Sequence, residues 1–138
     1  VTWKAWIDPE VADPPCLQRL WFRIYDDQLA LAAHMRSNDA FKAAFMNMFA
    51  LVSLQEKIAE LVAEKSGRAV AVGRYVHLAD SYHIYGTRIE DFKSRFLSQI
   101  ERRTFEERTW TMEFAQMIFD EAKEKIAEKV KEQTEKYL

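Results

Sequence analysis

The alternation of hydrophobic and polar positions is clearest near the start of the chain. Residues 16–25 are rich in aromatic and branched side chains, and Asp26 and Asp27 separate them from the apolar run of residues 28–36. Two such runs joined by two polar residues are typical of antiparallel strands joined by a tight turn. The sequence therefore predicts a β-hairpin over residues 16–36.

The turn also predicts which residues face each other across the hairpin. A two-residue turn at Asp26 and Asp27 pairs Tyr25 with Gln28, and the same register, continued to the open end, places Cys16 opposite Ser37. A β-bulge would shift this pairing by one residue. In either register, we expect the thiol to lie beside the polar residues that end the second strand.

A long helix is predicted after the hairpin, from Asp39 to Lys65, ending near Gly67. Its first half is apolar on all sides, so we expect that half to be buried all round. Asn47 lies within it. Because an unpaired buried amide costs about 1–3 kcal/mol, Asn47 needs a polar partner from the protein or from a ligand.

The remaining segments alternate between an extended region and helices. Residues 69–85 are predicted to be extended, and apolar residues recur at helical spacing from Thr87 onward. The last stretch, residues 121–138, alternates Glu and Lys as a solvated helix does. The first fifteen residues hold all three prolines and predict an irregular segment. In the extended region, one face carries Val72, Val76, Leu78 and Ile84, and the other carries His77, Ser81, His83 and Tyr85.

Composition limits the class of protein. With 138 residues and 49% hydrophobic content, the chain can bury one core, so a single domain over residues 1–138 is expected. A net charge of −2 gives no indication of nucleic-acid or membrane binding. No apolar run approaches the roughly 18 residues of a membrane span, and no signal peptide is recognisable. A soluble, cytoplasmic protein is therefore predicted.

Cys16 is the single cysteine and the first candidate for chemistry. A free cysteine is more often a buried apolar residue than a nucleophile. Here the hairpin brings it beside Arg36, whose positive charge favours the thiolate. Arg36, Ser37 and Asp39 form a polar cluster before the helix that suits an anion or a polar ligand.

His83 and Tyr85 lie two residues apart, so on a strand they point to the same side and could hold a hydroxyl or diol. A histidine and a tyrosine on a half-buried sheet face explain the pattern equally well. The remaining histidines, His34 and His77, form no metal-binding motif with them, and we expect no metal site.

Taken in order, four elements of the sequence resemble the thymidylate synthase family, which includes the pyrimidine nucleotide hydroxymethylases. The resemblance spans about residues 14–86. It implies an α+β fold in which a long central helix packs on a mixed sheet, and a homodimer formed through the sheet. The helical spacing from Thr87 onward, which departs from the family pattern, adds a helical C-terminal part. The elements are Pro15-Cys16, Arg36-Ser37-Asn38-Asp39, Asn47 and His83-Ile84-Tyr85.

The resemblance also implies a methyltransferase reaction. Cys16 would attack C6 of dUMP, with Arg36 favouring the thiolate, and C5 would accept a one-carbon unit from methylene-tetrahydrofolate or a related reduced pterin to form dTMP. The binding roles that follow are the phosphate for Arg36 and Ser37, the base for Asp39 and Asn47, and the sugar 3′-hydroxyl for His83 and Tyr85.

Asn47 points to the nucleotide, because in this family an asparagine at this position goes with uracil and an aspartate with cytosine. Completion of the reaction by water instead of hydride would give a hydroxymethylase, and a catalytically silent nucleotide-binding or scaffold domain is a further alternative. Only fifteen residues precede Cys16. The chain is therefore expected to be the C-terminal catalytic portion of a longer protein, or a divergent short form inactive alone.

Overall fold

The computed structural model describes residues 14–136. The chain divides into two compact units, Val1–Glu90 and Asp91–Leu138, which are described separately. The predicted irregular segment lies, up to residue 13, outside the described residues.

The first unit begins with the predicted hairpin. Strands β1 (Leu17–Tyr25) and β2 (Gln28–Met35) are antiparallel and joined by Asp26 and Asp27. Both aspartates have positive φ angles, 47° and 57°. A two-residue hairpin turn needs positive φ at both positions if its twist is to match that of the strands. The pairing from Tyr25 with Gln28 to Arg19 with His34 is the predicted register. This part of the prediction is confirmed.

The open end of the hairpin differs from the prediction because β1 contains a bulge. The register shifts at Gln18, so that Leu17 pairs with Met35, and the N–H of Arg36 donates to the carbonyl of Cys16 at 2.8 Å. The predicted pairing of Cys16 with Ser37 is therefore wrong. The extra residue that a bulge inserts moves Cys16 opposite Arg36.

A third long strand completes a mixed sheet. Strand β4 (Ala71–Ala79) runs parallel to β2, giving the order β1-β2-β4. Helix α1 (Ala44–Ser66) connects β2 to β4 and packs against both. The expected α+β class, with a long helix on a mixed sheet, is confirmed. The core lies between them and contains Leu29, Leu31, Ala33, Met35, Ala44, Leu51 and Ala59.

Helix α1 begins five residues later than predicted, at Ala44 instead of Asp39. Asp39 belongs to a short strand, β3 (Asn38–Asp39), and its carboxylate accepts the N–H groups of Phe41 at 2.9 Å and Lys42 at 3.1 Å. Such side-chain bonds compete with helical ones and hold a turn. The helix ends as predicted at Gly67, whose φ is 66°.

The prediction that the first half of α1 is buried all round is wrong. Phe45 is 73% exposed and Met46 is 61% exposed. Within the first unit, the sheet covers one side of the helix only, and the buried helical residues lie on that side. They are Ala44, Leu51, Gln55 and Ala59.

The predicted extended region contains two strands. After β4, the chain bends at Asp80 and continues in β5 (Tyr82–His83), which pairs in parallel with β3. The apolar side chains Val76 and Leu78 are exposed, while Tyr75 packs against the core beneath α1. The face of β4 that carries polar groups is therefore the one that meets the helix.

The second unit is helical, as predicted. The chain enters it through a 3₁₀ turn (Gly86–Arg88) and α2 (Ile89–Asp91), and continues through a π-helical segment (Phe92–Leu97). The remaining helices are α3 (Ser98–Arg102), α4 (Phe105–Arg108) and α5 (Met112–Lys136). Among the described helices, none combines the length and the apolar character needed to cross a membrane.

A buried glutamine supports an irregularity in the sheet. The β2–β4 register shifts beyond Leu29, and Gln55 of α1 is 0% exposed there. Its Nε2 donates to the carbonyls of Leu29 at 2.7 Å, Gly73 at 3.2 Å and Arg74 at 3.4 Å. The two hydrogens of this amide are thus shared among three carbonyls where the ladder is interrupted.

We predict that Gln55→Leu lowers the free energy of unfolding by about 1–3 kcal/mol, because leucine has a similar size but leaves these carbonyls without their donor. Urea unfolding of the full-length protein measures the change. The exposed Gln116→Leu is the control and is expected to stay within about 0.5 kcal/mol of wild type. An equal stability of the two variants would contradict this account.

Candidate functional site

Cys16 stands exposed at the start of the hairpin, and Arg36 holds its backbone. The Arg36 guanidinium donates from Nη2 to the carbonyl of Pro14 at 2.6 Å and from Nε to the carbonyl of Pro15 at 3.1 Å. Its own N–H donates to the carbonyl of Cys16 at 2.8 Å. Three consecutive carbonyls before and at the thiol are therefore bound by one residue, which fixes the position of the thiol.

The pairing of β3 with β5 brings the segment that ends at Asp39 beside the segment that begins at His83. The N–H of Asn38 donates to the carbonyl of Ser81, and the N–H of Ala40 donates to the carbonyl of His83, both at 2.8 Å. Asp39 is the register partner of His83. Asp39 and His83, which are distant in sequence, thus become neighbours in the first unit.

His83 and Tyr85 lie against each other, with ring centroids 4.8 Å apart and planes at 88°. The Nδ1 of His83 is 3.1 Å from the hydroxyl oxygen of Ser81. In the part of the chain that the structure describes, the Nε2 of His83 and the Tyr85 hydroxyl have no hydrogen-bond partner. Both polar atoms can therefore bind a hydroxyl group of a ligand.

Asn47 has the polar partner that its place in the helix required. Its Nδ2 donates to the Oδ1 of Asn38 at 2.9 Å. The Nδ2 of Asn38 is 2.9 Å from the Nε2 of His77, and the Nδ1 of His77 is 2.7 Å from the hydroxyl of Tyr75. These four residues, here called the amide–imidazole chain, link α1, β3 and β4.

The amide–imidazole chain has a direction. Burial lowers the pKa of His77 and raises that of Tyr75, so at neutral pH the imidazole is uncharged and the phenol is protonated. The Nδ2 of Asn38 can only donate, so the Nε2 of His77 accepts and its Nδ1 carries the proton that Tyr75 accepts. Asn47 keeps its Oδ1 and one amide hydrogen free of the chain.

The structure joins the predicted site residues in two groups. In the first group, Arg36 is bound to the Cys16 segment. In the second group, the Asn38 side chain binds Asn47, and the pairing of β3 with β5 places Asp39 beside His83. Among residues 14–136, no hydrogen bond connects the Cys16 thiol to Asn47 or His83, and no cluster of three metal-binding side chains occurs.

Sequence reasoning missed the role of three members of the chain. Tyr75 and His77 lie on β4 with side chains towards α1, and Asn38 is 2% exposed between them and Asn47. The polar face predicted for the extended region was a signal for His77. Tyr75 and His77 have the same spacing as His83 and Tyr85, so strand alternation was a signal for Tyr75 also, and only their link to Asn38 depends on the fold.

We predict that acidification destabilises the protein through His77. Because burial lowers the pKa of folded His77 below its ordinary value of 6.5, the unfolded chain binds a proton more readily. Stability is therefore full above about pH 6.5 and falls as the pH decreases towards the folded pKa. Urea midpoints from about pH 7.5 to 5 should fall less for His77→Gln than for wild type. Equal decreases would exclude this source of acid sensitivity.

Comparison with known proteins gives a consistent result. The family model described as "Thymidylate synthase" matches residues 1–132. A protein named putative thymidylate synthase from Methanocaldococcus jannaschii is 36% identical over 104 residues, which cover 72% of this chain and 44% of the relative.

Two further relatives agree with this match. A putative thymidylate synthase from Methanococcoides burtonii is 36% identical over 85 residues, covering 62% of this chain and 36% of the relative. A thymidylate synthase from Staphylococcus haemolyticus is 29% identical over 120 residues, covering 85% of this chain and 35% of the relative. The chain spans less than half the length of these curated relatives.

Proposed function

The chain belongs to the thymidylate synthase family, and from this premise we propose that it transfers a one-carbon unit to C5 of dUMP, forming dTMP in the cytoplasm. The protein is then a methyltransferase, with residues 1–138 as one thymidylate synthase-like domain. The observation that supports the proposal is that the residues the resemblance assigns to the nucleotide lie in two hydrogen-bonded groups of the first unit. Hydrogen bonds bind Arg36 to the Cys16 segment and connect Asn47 to the β3–β5 pair.

Cys16 is the proposed nucleophile. Its thiolate forms a bond to C6 of the base, and the electrons of the C5–C6 double bond move towards C5, which becomes nucleophilic. Once C5 has taken the one-carbon unit and lost its proton, and a hydride that a bound pterin would supply has reduced this unit to a methyl group, the S–C6 bond breaks and the C5–C6 double bond returns. The exposure of Cys16 supports this role, since C6 must reach the sulfur directly.

Arg36 and Ser37 are proposed to bind the phosphate. The Nε and Nη2 of Arg36 are occupied by the two proline carbonyls, and its Nη1 has no partner within the described residues. A guanidinium held in this way presents its remaining donors in a fixed direction, which suits a phosphate oxygen. Ser37 follows directly and adds a hydroxyl.

The base and sugar are proposed to bind at the second group of residues. The free Oδ1 and amide hydrogen of Asn47 complement the N3–H and O4 of uracil. Asp39 uses its carboxylate to hold the turn after β3, so its backbone is the part that remains to meet the base. His83 and Tyr85 present free polar atoms to the 3′-hydroxyl.

A reduced pterin such as methylene-tetrahydrofolate supplies the methylene carbon and the hydride when bound. Phe45 and Met46 expose apolar surface in the first turn of α1, but side chains one and two positions from Asn47 point to other sides of the helix, so they are not assigned to the pterin ring.

A homodimer through the sheet is also proposed. The face of the sheet that points away from α1 exposes large apolar side chains and contains a groove of about 420 Å³. Exposed apolar surface on a folded sheet is typical of subunit interfaces. The residues that line the groove include Trp21, Tyr25, Ala30, Ala32 and Val76.

We predict that 5-fluoro-dUMP and methylene-tetrahydrofolate form a stable adduct on Cys16, because fluorine at C5 cannot leave as the proton does. Intact-mass spectrometry of the full-length protein measures the adduct, and Cys16→Ser is the matched control that should give none. An unmodified wild-type protein under saturating ligand would overturn the proposed chemistry.

The same preparation separates the alternative outcomes. Tritium release from C5-labelled dUMP together with a methyl product supports the methyltransferase, and a hydroxymethyl product assigns a hydroxymethylase instead. Calorimetric binding of dUMP without adduct or tritium release would assign a non-catalytic nucleotide-binding domain.

We predict that Asn47→Asp weakens dUMP binding about tenfold or more and improves dCMP binding, because a carboxylate accepts from the amino group of cytosine and repels O4 of uracil. Isothermal titration with both nucleotides measures the change. An unaltered preference would show that Asn47 is a structural amide only.

A further inference from the structure

We propose that Tyr75, His77 and Asn38 are positioning residues that set the orientation of the Asn47 amide and thereby make the site prefer uracil to cytosine. This inference rests on the proposed function. It assigns a role to three residues that do not need to touch the nucleotide.

An asparagine alone does not distinguish the two bases. Its amide presents a donor beside an acceptor, and a rotation that exchanges oxygen and nitrogen reverses their order. One order complements the N3–H and O4 of uracil, and the reverse order complements the N3 and amino group of cytosine. Discrimination therefore requires a group that fixes the rotation of the amide.

Asn38 is that group in this protein. It is 2% exposed, and its Oδ1 accepts from the Nδ2 of Asn47 at 2.9 Å. If the Asn38 amide reversed, its NH₂ group would face Asn47, and Asn47 would have to turn its oxygen towards Asn38. The orientation of Asn47 thus follows from that of Asn38.

His77 and Tyr75 fix Asn38 in turn. The Nε2 of His77 accepts from the Nδ2 of Asn38 at 2.9 Å, which requires the proton on Nδ1, 2.7 Å from the Tyr75 hydroxyl. A proton on Nε2 would demand an oxygen from Asn38 and reverse both amides. In this order of bonds the Tyr75 hydroxyl accepts from Nδ1–H, and without it a buried Nδ1–H would lose its acceptor.

The test compares two substitutions at His77 in the full-length protein. His77→Phe removes the acceptor and should lower the ratio of dCMP to dUMP dissociation constants, measured by calorimetry, about tenfold or more. His77→Gln should lower the ratio less than His77→Phe, because its Oε1 can accept from Asn38 although its amide can also reverse. His34→Phe, a histidine on the neighbouring strand bonded to Asp80, is the control and should preserve the ratio.

A folded His77→Phe variant with the wild-type ratio would overturn the inference. If that variant does not fold, Tyr75→Phe takes its place: it removes the group that holds the Nδ1 proton, and the ratio should again fall. An unchanged ratio in folded Tyr75→Phe would equally overturn it.

A second measurement does not depend on the nucleotide. Nitrogen-15 NMR of the ligand-free wild-type protein should show His77 protonated at Nδ1 and unprotonated at Nε2, and the opposite tautomer would overturn the inference. Should wild type bind neither nucleotide, the proposed function fails, and the tautomer still decides whether the chain of hydrogen bonds has the stated direction.

Discussion

The candidate site depends on the burial of one amide, that of Asn38. A buried amide is tolerated only when both of its ends are hydrogen-bonded, and Asn38 meets this condition with Asn47 on one side and His77 on the other. Its backbone N–H is also bound, to Ser81 of the segment that leads into β5. Asn38 on β3 therefore holds α1, β4 and the segment before β5 in a common arrangement.

The hairpin could be predicted from the sequence because two local features, the length of the turn and the alternation of side chains, determine its register. A two-residue turn sets the register, and the alternation of strand side chains carries that register along both strands. The bulge at Gln18 could not be predicted, since no glycine or proline marks it. The bulge changes the candidate site, because it moves Cys16 from a position opposite Ser37 to one opposite Arg36. The Arg36 guanidinium then binds the segment that carries the thiol.

For helix α1, the sequence predicted the end of the helix but not which of its sides are buried. Its existence and its end at Gly67 followed from local signals, but the burial of its sides depends on what packs against it, which local sequence does not contain. Phe45 and Met46 are apolar and exposed for this reason. Likewise, Cys16, Arg36 and Asn47 could be selected from spacing and chemistry, whereas Tyr75 gained a role only through the approach of β4 to β3.

The same hydrogen bonds that permit Asn38 to be buried also give Asn47 a direction, so stability and the proposed specificity would have a common origin. A buried polar network that is fully bonded is rigid, because each reversal of one member leaves a neighbour with two donors or two acceptors face to face. An apolar residue at position 38 would avoid the cost of burying an amide, but it would release Asn47 to rotate. Under the proposed function, the cost of a buried amide at Asn38 is therefore explained by the order of donor and acceptor that it imposes on Asn47.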